Sequence, residues 1–295
     1  MCPAALGSQT VGSTLRPAAY NGIVGLKPTF GRISLRGVIP LSYSLDTVGI
    51  LTRTVGDAGL LFNAMAGHDT DDLVSAFQPV VDYYPPSKRS KDLPRIGIVK
   101  DFFYAHASQE VQDHTNRVID TLSNEGFQIT EVRGGLDLNE QVEATSTTFN
   151  VEVAAVHGDD YRRDPSLYPP MIQGVIEKGN ITPATEYILA QRVRTHFREQ
   201  IRQVFSSFDV LLCPSTPAQP PRRDGGTTGP PIFQGLWTSA GLPALSIPSG
   251  LDSDGSPFGI QLVAPWFEEV KLLTVGEWGE TILGRMSPPP VDSSP

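Results

Sequence analysis

Between Ile96 and Val132 the chain carries a pattern that few folds can absorb. Ile96-Gly97-Ile98-Val99, just behind Pro94, is a short continuous apolar run, the mark of a strand buried on both faces. Val111, His114, Val118 and Leu122 then recur with helical spacing, and Gly126 is placed to end that helix. Phe127-Gln128-Ile129-Thr130-Glu131-Val132 alternates as a strand does. Strand, helix and strand in so short a span predict a βαβ unit. Such a unit requires a parallel pair, a right-handed crossover and helices packed on the sheet.

The flanking segments extend this α/β reading. Val55, Ala58, Leu61, Phe62 and Met65 predict a helix starting at Thr54 and ending near Gly67. Residues 68–93, with Asp69, Asp71, Asp72 and Pro85-Pro86, read as a connector. Pro183 opens a long helix whose stripe is Leu189, Val193, Phe197, Ile201, Val204, Phe205 and Phe208. Arg192, Arg194, Arg198 and Arg202 fall largely off that stripe and predict a solvated face. Three more strands are expected at Asp209–Cys213, Leu245–Pro248 and Phe258–Val263, then a last helix around Val270, Leu273 and Trp278. The first 50 residues read as loops and short buried strands, and the tail 287–295 as frayed. The expected architecture is one α/β domain over residues 1–286, a mixed sheet sandwiched by helices.

Composition and motifs exclude several kinds of function. The net charge of −9 on 295 residues, with no Lys/Arg block, argues against nucleic-acid binding. Two cysteines, Cys2 and Cys213, cannot frame a disulfide scaffold. No run of apolar residues is long enough for a membrane span, and no signal peptide is recognisable, so a cytoplasmic protein is expected. The five histidines lack zinc spacing, so no metal site is expected. Lys27 sits between Leu26 and Pro28, which rules out a phosphate-binding P-loop; no cofactor is expected. His114 lies on an apolar helix face and reads as a core or boundary residue.

One loop can hold a nucleophile. In Gly7-Ser8-Gln9-Thr10-Val11-Gly12-Ser13-Thr14-Leu15-Arg16-Pro17, small residues leave backbone amides uncovered around an exposed serine. On spacing alone a linker or turn is the commoner meaning of such a loop. The stretch from Gly7 to Arg32, including Gly25-Leu26-Lys27-Pro28-Thr29, closely resembles the amidase signature family. So do Ser44-Leu45-Asp46-Thr47-Val48-Gly49, Arg53-Thr54-Val55-Gly56-Asp57-Ala58, Asp209 to Pro217, Trp237 to Ala244 and Gly259 to Val263.

The resemblance implies a Ser–Ser–Lys amide hydrolase acting on a small-molecule amide. Ser13 is then the nucleophile, and the backbone N–H groups of Thr10, Val11, Gly12 and Ser13 form the oxyanion hole. Arg16 braces the loop or fixes the fold through a salt bridge. Val11 stands where the family usually has Gly, and Gln9 replaces a frequent Asp. The family's lysine and bridging serine lie well upstream of the nucleophile, whereas Ser13 follows only 12 residues here. Lys27 and Ser8 are poor substitutes for them. An N-terminally truncated amidase domain is therefore expected, associating through exposed core surface. Two rival readings are an inactive amidase-like accessory protein and a subunit completed by another chain. A third is an unrelated hydrolase pairing Ser13 with a histidine.

Overall fold

A computed structural model describes residues 2–79, 82–83, 93–222, 224 and 227–287. Eight strands form one sheet: β1 (Ala4–Gln9), β2 (Val24–Lys27), β3 (Thr47–Thr52), β4 (Arg95–Ile98), β5 (Gln128–Glu131), β6 (Val210–Pro214), β7 (Ala244–Leu251) and β8 (Pro257–Val263). Their order is β1-β3-β2-β7-β8-β6-β4-β5. The predicted βαβ unit is present: β4 pairs parallel with β5, and also with β6, while the other neighbours are antiparallel.

The helices are α1 (Leu15–Tyr20), α2 (Val55–Met65), α3 (Asp101–His106), α4 (Gln109–Asn124), α5 (Leu138–Arg163), α6 (Pro170–Ile181), α7 (Ala184–Val204), α8 (Ile232–Ala240) and α9 (Glu269–Leu283). They cover both faces of the sheet, as expected. Strand β6 shows the division in its period-two alternation: Val210 and Leu212 join one core with α2, α4 and α9. Leu211 and Cys213 join the other with Phe103 of α3, Leu138 of α5, Phe197 of α7 and Phe233 and Trp237 of α8. Local capping sets the helix starts. Thr54 accepts from Asp57 N at the head of α2, and Ser108 from Val111 N at the head of α4. Gly126, at φ 93°, follows the end of α4.

Several elements differ from the sequence reading. The first 50 residues contain helix α1 and the edge strand β1, whose outer residues Ala5 and Leu6 are exposed rather than buried. Helices α5, α6 and α8 lack a legible stripe. The buried positions of α5 include Gln141, Thr145, Thr148, Asn150 and Glu152, which are polar. Those of α8 run all round the helix from Phe233 to Ala240. The arginine face of α7 is not uniformly solvated: Arg194 is 3% exposed and Arg198 is half-buried. Both find backbone acceptors at the C-terminal end of α8, where the helix dipole favours cations. Pro85, Pro86 and the tail from residue 288 lie outside the described residues. Among the described residues no helix is long and apolar enough to cross a membrane.

Candidate active site

The loop between β1 and α1 is held at every residue but one. Gln9, the last residue of β1, is fully buried, and its Oε1 accepts from Thr14 N and Leu15 N, both at 2.9 Å. This satisfies two of the amides a helix start leaves open, and Thr14 makes no such cap with its own side chain. A carboxylate oxygen could accept the same two bonds. Gln9 also donates through Nε2 to Thr238 Oγ1 at 2.9 Å, tying β1 to α8.

Thr10 Oγ1 donates to Asp46 Oδ1 at 2.6 Å, and Thr238 Oγ1 lies 2.9 Å from Val11 O. Gly12 and Thr14 are buried, whereas Ser13 between them is exposed. A Cβ on Gly12 would lie 2.9 Å from Pro231 Cβ and 3.0 Å from Gln234 Oε1, so glycine is needed here for space. Val11 is not among the residues at positive φ, which removes the objection to a β-branched side chain there. Its Cγ1 packs where Gly235 of α8 leaves room.

The N–H groups of Thr14, Leu15 and Arg16 are all taken, the last by Gly12 O at 3.0 Å. Those of Thr10, Val11, Gly12 and Ser13 have no acceptor among the described residues. Four consecutive donors are thus open beside an exposed hydroxyl, which are the groups that an anion-receiving nest requires. Arg16 donates to Gly229 O and to Thr228 Oγ1, so it braces the Pro/Gly-rich loop rather than pairing with a carboxylate. Burial lowers its pKa. Gly229 and Pro231 of that loop thus form a rim against Tyr20 and Gly12.

The remaining candidates lie elsewhere. Lys27 is fully buried on β2, and its Nζ donates to Pro28 O at 2.8 Å. Burial lowers its pKa to about 7, a value suited to a base, but no bond links it to Ser13. Ser8 is exposed on β1 opposite Val48. His114 is a core residue: its Nε2 lies 2.8 Å from Ser249 Oγ, its ring stacks on Phe258, and burial lowers its pKa to about 4. His106 bonds Phe102 O, and His157 bonds Tyr168 and Pro40 O. No described side chain hydrogen-bonds Ser13, so none of these supplies a dyad. Burial pushes the Cys213 thiol up to about 12. Among the described residues no cluster of His, Cys, Asp or Glu is arranged to hold a metal.

Sequence reasoning did not find Asp46, Gln234 or Thr238 as supports. Their contacts with the loop span up to 229 positions in sequence, and only the folded chain brings them together. A mainly apolar cleft of about 400 Å³ adjoins Asp46, lined by Leu35, Val38, Tyr43 and Leu73 among others. A larger one of about 520 Å³, beyond the ends of β4 and β5, includes no residue of the serine loop.

The family model described as Amidase matches residues 1–273. A subunit of the mitochondrial glutamyl-tRNA(Gln) amidotransferase of Bos taurus is 33% identical, over 95% of this chain and 59% of its own length. The corresponding glutamyl-tRNA(Gln) amidotransferase subunit of Anaeromyxobacter sp. (strain K) is 32% identical, over 97% and 64%. Among solved structures, one from a study of a vestigial protein complex and the origins of an s-triazine catabolic enzyme is 29% identical. It aligns with a TM-score of 0.87 over 96% of this chain and 63% of that one. A crystal structure of an amidase is 28% identical, with a TM-score of 0.83 over 95% and 63%. The chain thus spans about three-fifths of the length of these proteins.

Proposed function

Because the chain belongs to the amidase family, we propose that it carries the nucleophile and oxyanion hole of an amide hydrolase acting through a Ser13 acyl-enzyme. The observation that carries this reading is the run of four N–H groups, Thr10 to Ser13, that have no acceptor among the described residues, beside the one exposed side chain of a turn otherwise buried or half-buried. Ser13 Oγ attacks the carbonyl carbon of a small-molecule amide and loses its proton. The carbonyl oxygen becomes an oxyanion received by those amides. Collapse of the tetrahedral intermediate expels the amine, which takes up a proton. Water then attacks the acyl-enzyme through a second oxyanion and frees the acid. The acyl-enzyme step needs a base for Ser13, and none of the described side chains is in place for it. The family resemblance assigns that work to a lysine and a bridging serine that lie well upstream of the nucleophile, farther than the 12 residues that precede Ser13 here.

A second reading, in which another chain completes the site, is compatible with one feature of the surface. Leu6, Ile39, Tyr43, Leu73 and Phe77 are all exposed, and Ile39 is 84% so. Fluorophosphonate labelling tests the first reading. The purified chain should be modified at Ser13, and Ser13→Ala should abolish the adduct. Modification elsewhere, or none, refutes Ser13 as the nucleophile of the isolated chain. Appearance of the adduct only after a second polypeptide is added would establish the second reading.

A further inference from the structure

Arg194 is the most deeply buried of the four arginines on α7, at 3% exposed. Its Nη1 donates to Ser44 Oγ at 2.9 Å and to Gln191 Oε1 at 2.8 Å. Its Nη2 reaches Ser239 O at 3.0 Å and Ser44 O at 3.2 Å, and its Nε reaches Ser239 O at 3.2 Å. The planar fork of a guanidinium can serve two separate elements this way; a lysine ammonium cannot.

Those two elements are the supports of the serine loop. Ser44 lies two residues before Asp46. The Asp46 carboxylate accepts from Thr10 Oγ1 on one oxygen and from Leu41 N and Ser42 N, at 2.7 and 2.9 Å, on the other. Ser239 belongs to α8 and follows Thr238, which holds Val11 O and Gln9. One cation therefore ties the segment behind Thr10 to the helix behind Val11.

The charge is balanced through Ser44. Glu152 of α5, 8% exposed, accepts from Ser44 N at 3.0 Å, Ser44 Oγ at 2.7 Å, Tyr187 OH at 2.9 Å and Ser42 Oγ. Burial raises its pKa, but these donors outweigh that and hold the carboxylate ionised. A buried cation and carboxylate sharing one serine are costly to form. In some proteins such buried pairs serve to fix the spacing of two elements.

We infer that Arg194, with Glu152 as its counter-charge, is a positioning residue that sets the spacing of the oxyanion-hole amides from Thr10 to Ser13. Its hydrogen bonds go to Ser44, Gln191 and Ser239, and none goes to Ser13. This rests on the Ser13 reading above, and the test keeps the two apart.

Arg194→Lys, Glu152→Gln, Ser44→Ala and, as a control, the exposed Arg192→Lys are compared on the full chain. Amide hydrogen exchange of Thr14, Leu15 and Arg16, whose N–H groups are bonded to Gln9 and Gly12 of the loop, is read alongside the melting temperature and the labelling constants of a fluorophosphonate. Arg194→Lys should speed exchange of these three amides about tenfold or more while α9 stays protected. It should lower the maximal labelling rate about tenfold with the inhibitor's affinity unchanged. Glu152→Gln and Ser44→Ala should act in the same direction by less, and Arg192→Lys should do nothing. Unchanged exchange at Thr14, Leu15 and Arg16 in folded Arg194→Lys overturns the proposal. So does faster exchange that is uniform over the whole chain. If the wild-type chain does not label, the Ser13 reading fails for it, and exchange alone decides on Arg194. If Arg194→Lys does not fold, Ser44→Ala decides by the same criterion.

Discussion

Replacing Lys27 by methionine should stabilise the chain at neutral pH and change how its stability depends on pH. In the native state Lys27 is fully buried, with Pro28 O as the acceptor for its ammonium and the buried Glu269 nearby. Burial lowers its pKa from 10.5 to about 7. In the unfolded chain the lysine returns to its ordinary value. Between pH 7 and 10.5 the unfolded state therefore holds a proton that the native state has released, so stability rises with pH across that window. At pH 7 the cost of folding with this lysine is on the order of 4 kcal/mol. Methionine keeps the volume of the chain and removes the charge. It gives up one hydrogen bond worth about 1 kcal/mol, so a net gain of roughly 3 kcal/mol is expected near pH 7. Urea unfolding of both proteins at pH 7, 8 and 9 measures this directly. The advantage of the variant should shrink by about 2 kcal/mol between pH 7 and pH 9, with groups common to both proteins cancelling. Two stability curves that run parallel over this range would refute the reasoning, because they would mean that Lys27 keeps its proton in the native state.

Other substitutions probe the scaffold of the site. Gly12→Ala places a methyl 2.9 Å from Pro231 Cβ and should cost about 1–3 kcal/mol in urea unfolding, together with slower labelling at Ser13. Asp46→Ala strips the acceptor from Thr10 Oγ1, Leu41 N and Ser42 N, and a loss of about 3 kcal/mol or more is expected from the same assay. His114→Phe should flatten the acid limb of the stability profile. The wild-type protein loses stability as pH falls from 6.5 towards 4, because the unfolded imidazole takes a proton that the buried one refuses. Titration of chemical denaturation over that range reads the difference. Gly179→Ala forces a methyl onto Asn150 O between α6 and α5, and melting should fall by several degrees.

Helices α2, α4 and α9 were legible in the sequence because each lies on a boundary between core and water, whereas strands β4, β6 and β8, buried on both faces, were legible as short, largely apolar runs. Val111, Val118 and Leu122 face the sheet while their neighbours face solvent, and the period records that division. Helix α5 was not legible. The face it buries mixes apolar residues with polar ones, among them Glu152, which is bonded to Ser44 and Tyr187, so no apolar stripe marks it. Helix α8 is surrounded on all sides, so it has no wet face to set a period. Arg194 belongs to the same class. Its charge suggested solvent, and only its acceptors on two distant elements explain its burial.

The serine loop divides in the same way. Its residue types alone fit a linker or turn, and it was the resemblance of their order to the amidase signature that pointed to Ser13 and the four amides as the place for chemistry. What holds those amides open is long-range: Gln9 and Val11 meet Thr238 of α8, Thr10 meets Asp46, and Gly12 fits beneath Pro231 and Gln234. Chemistry that resides in a local backbone can be read from adjacent letters. Support that comes from hydrogen bonds between remote segments has no local signature, because any donor and acceptor of the right geometry will serve.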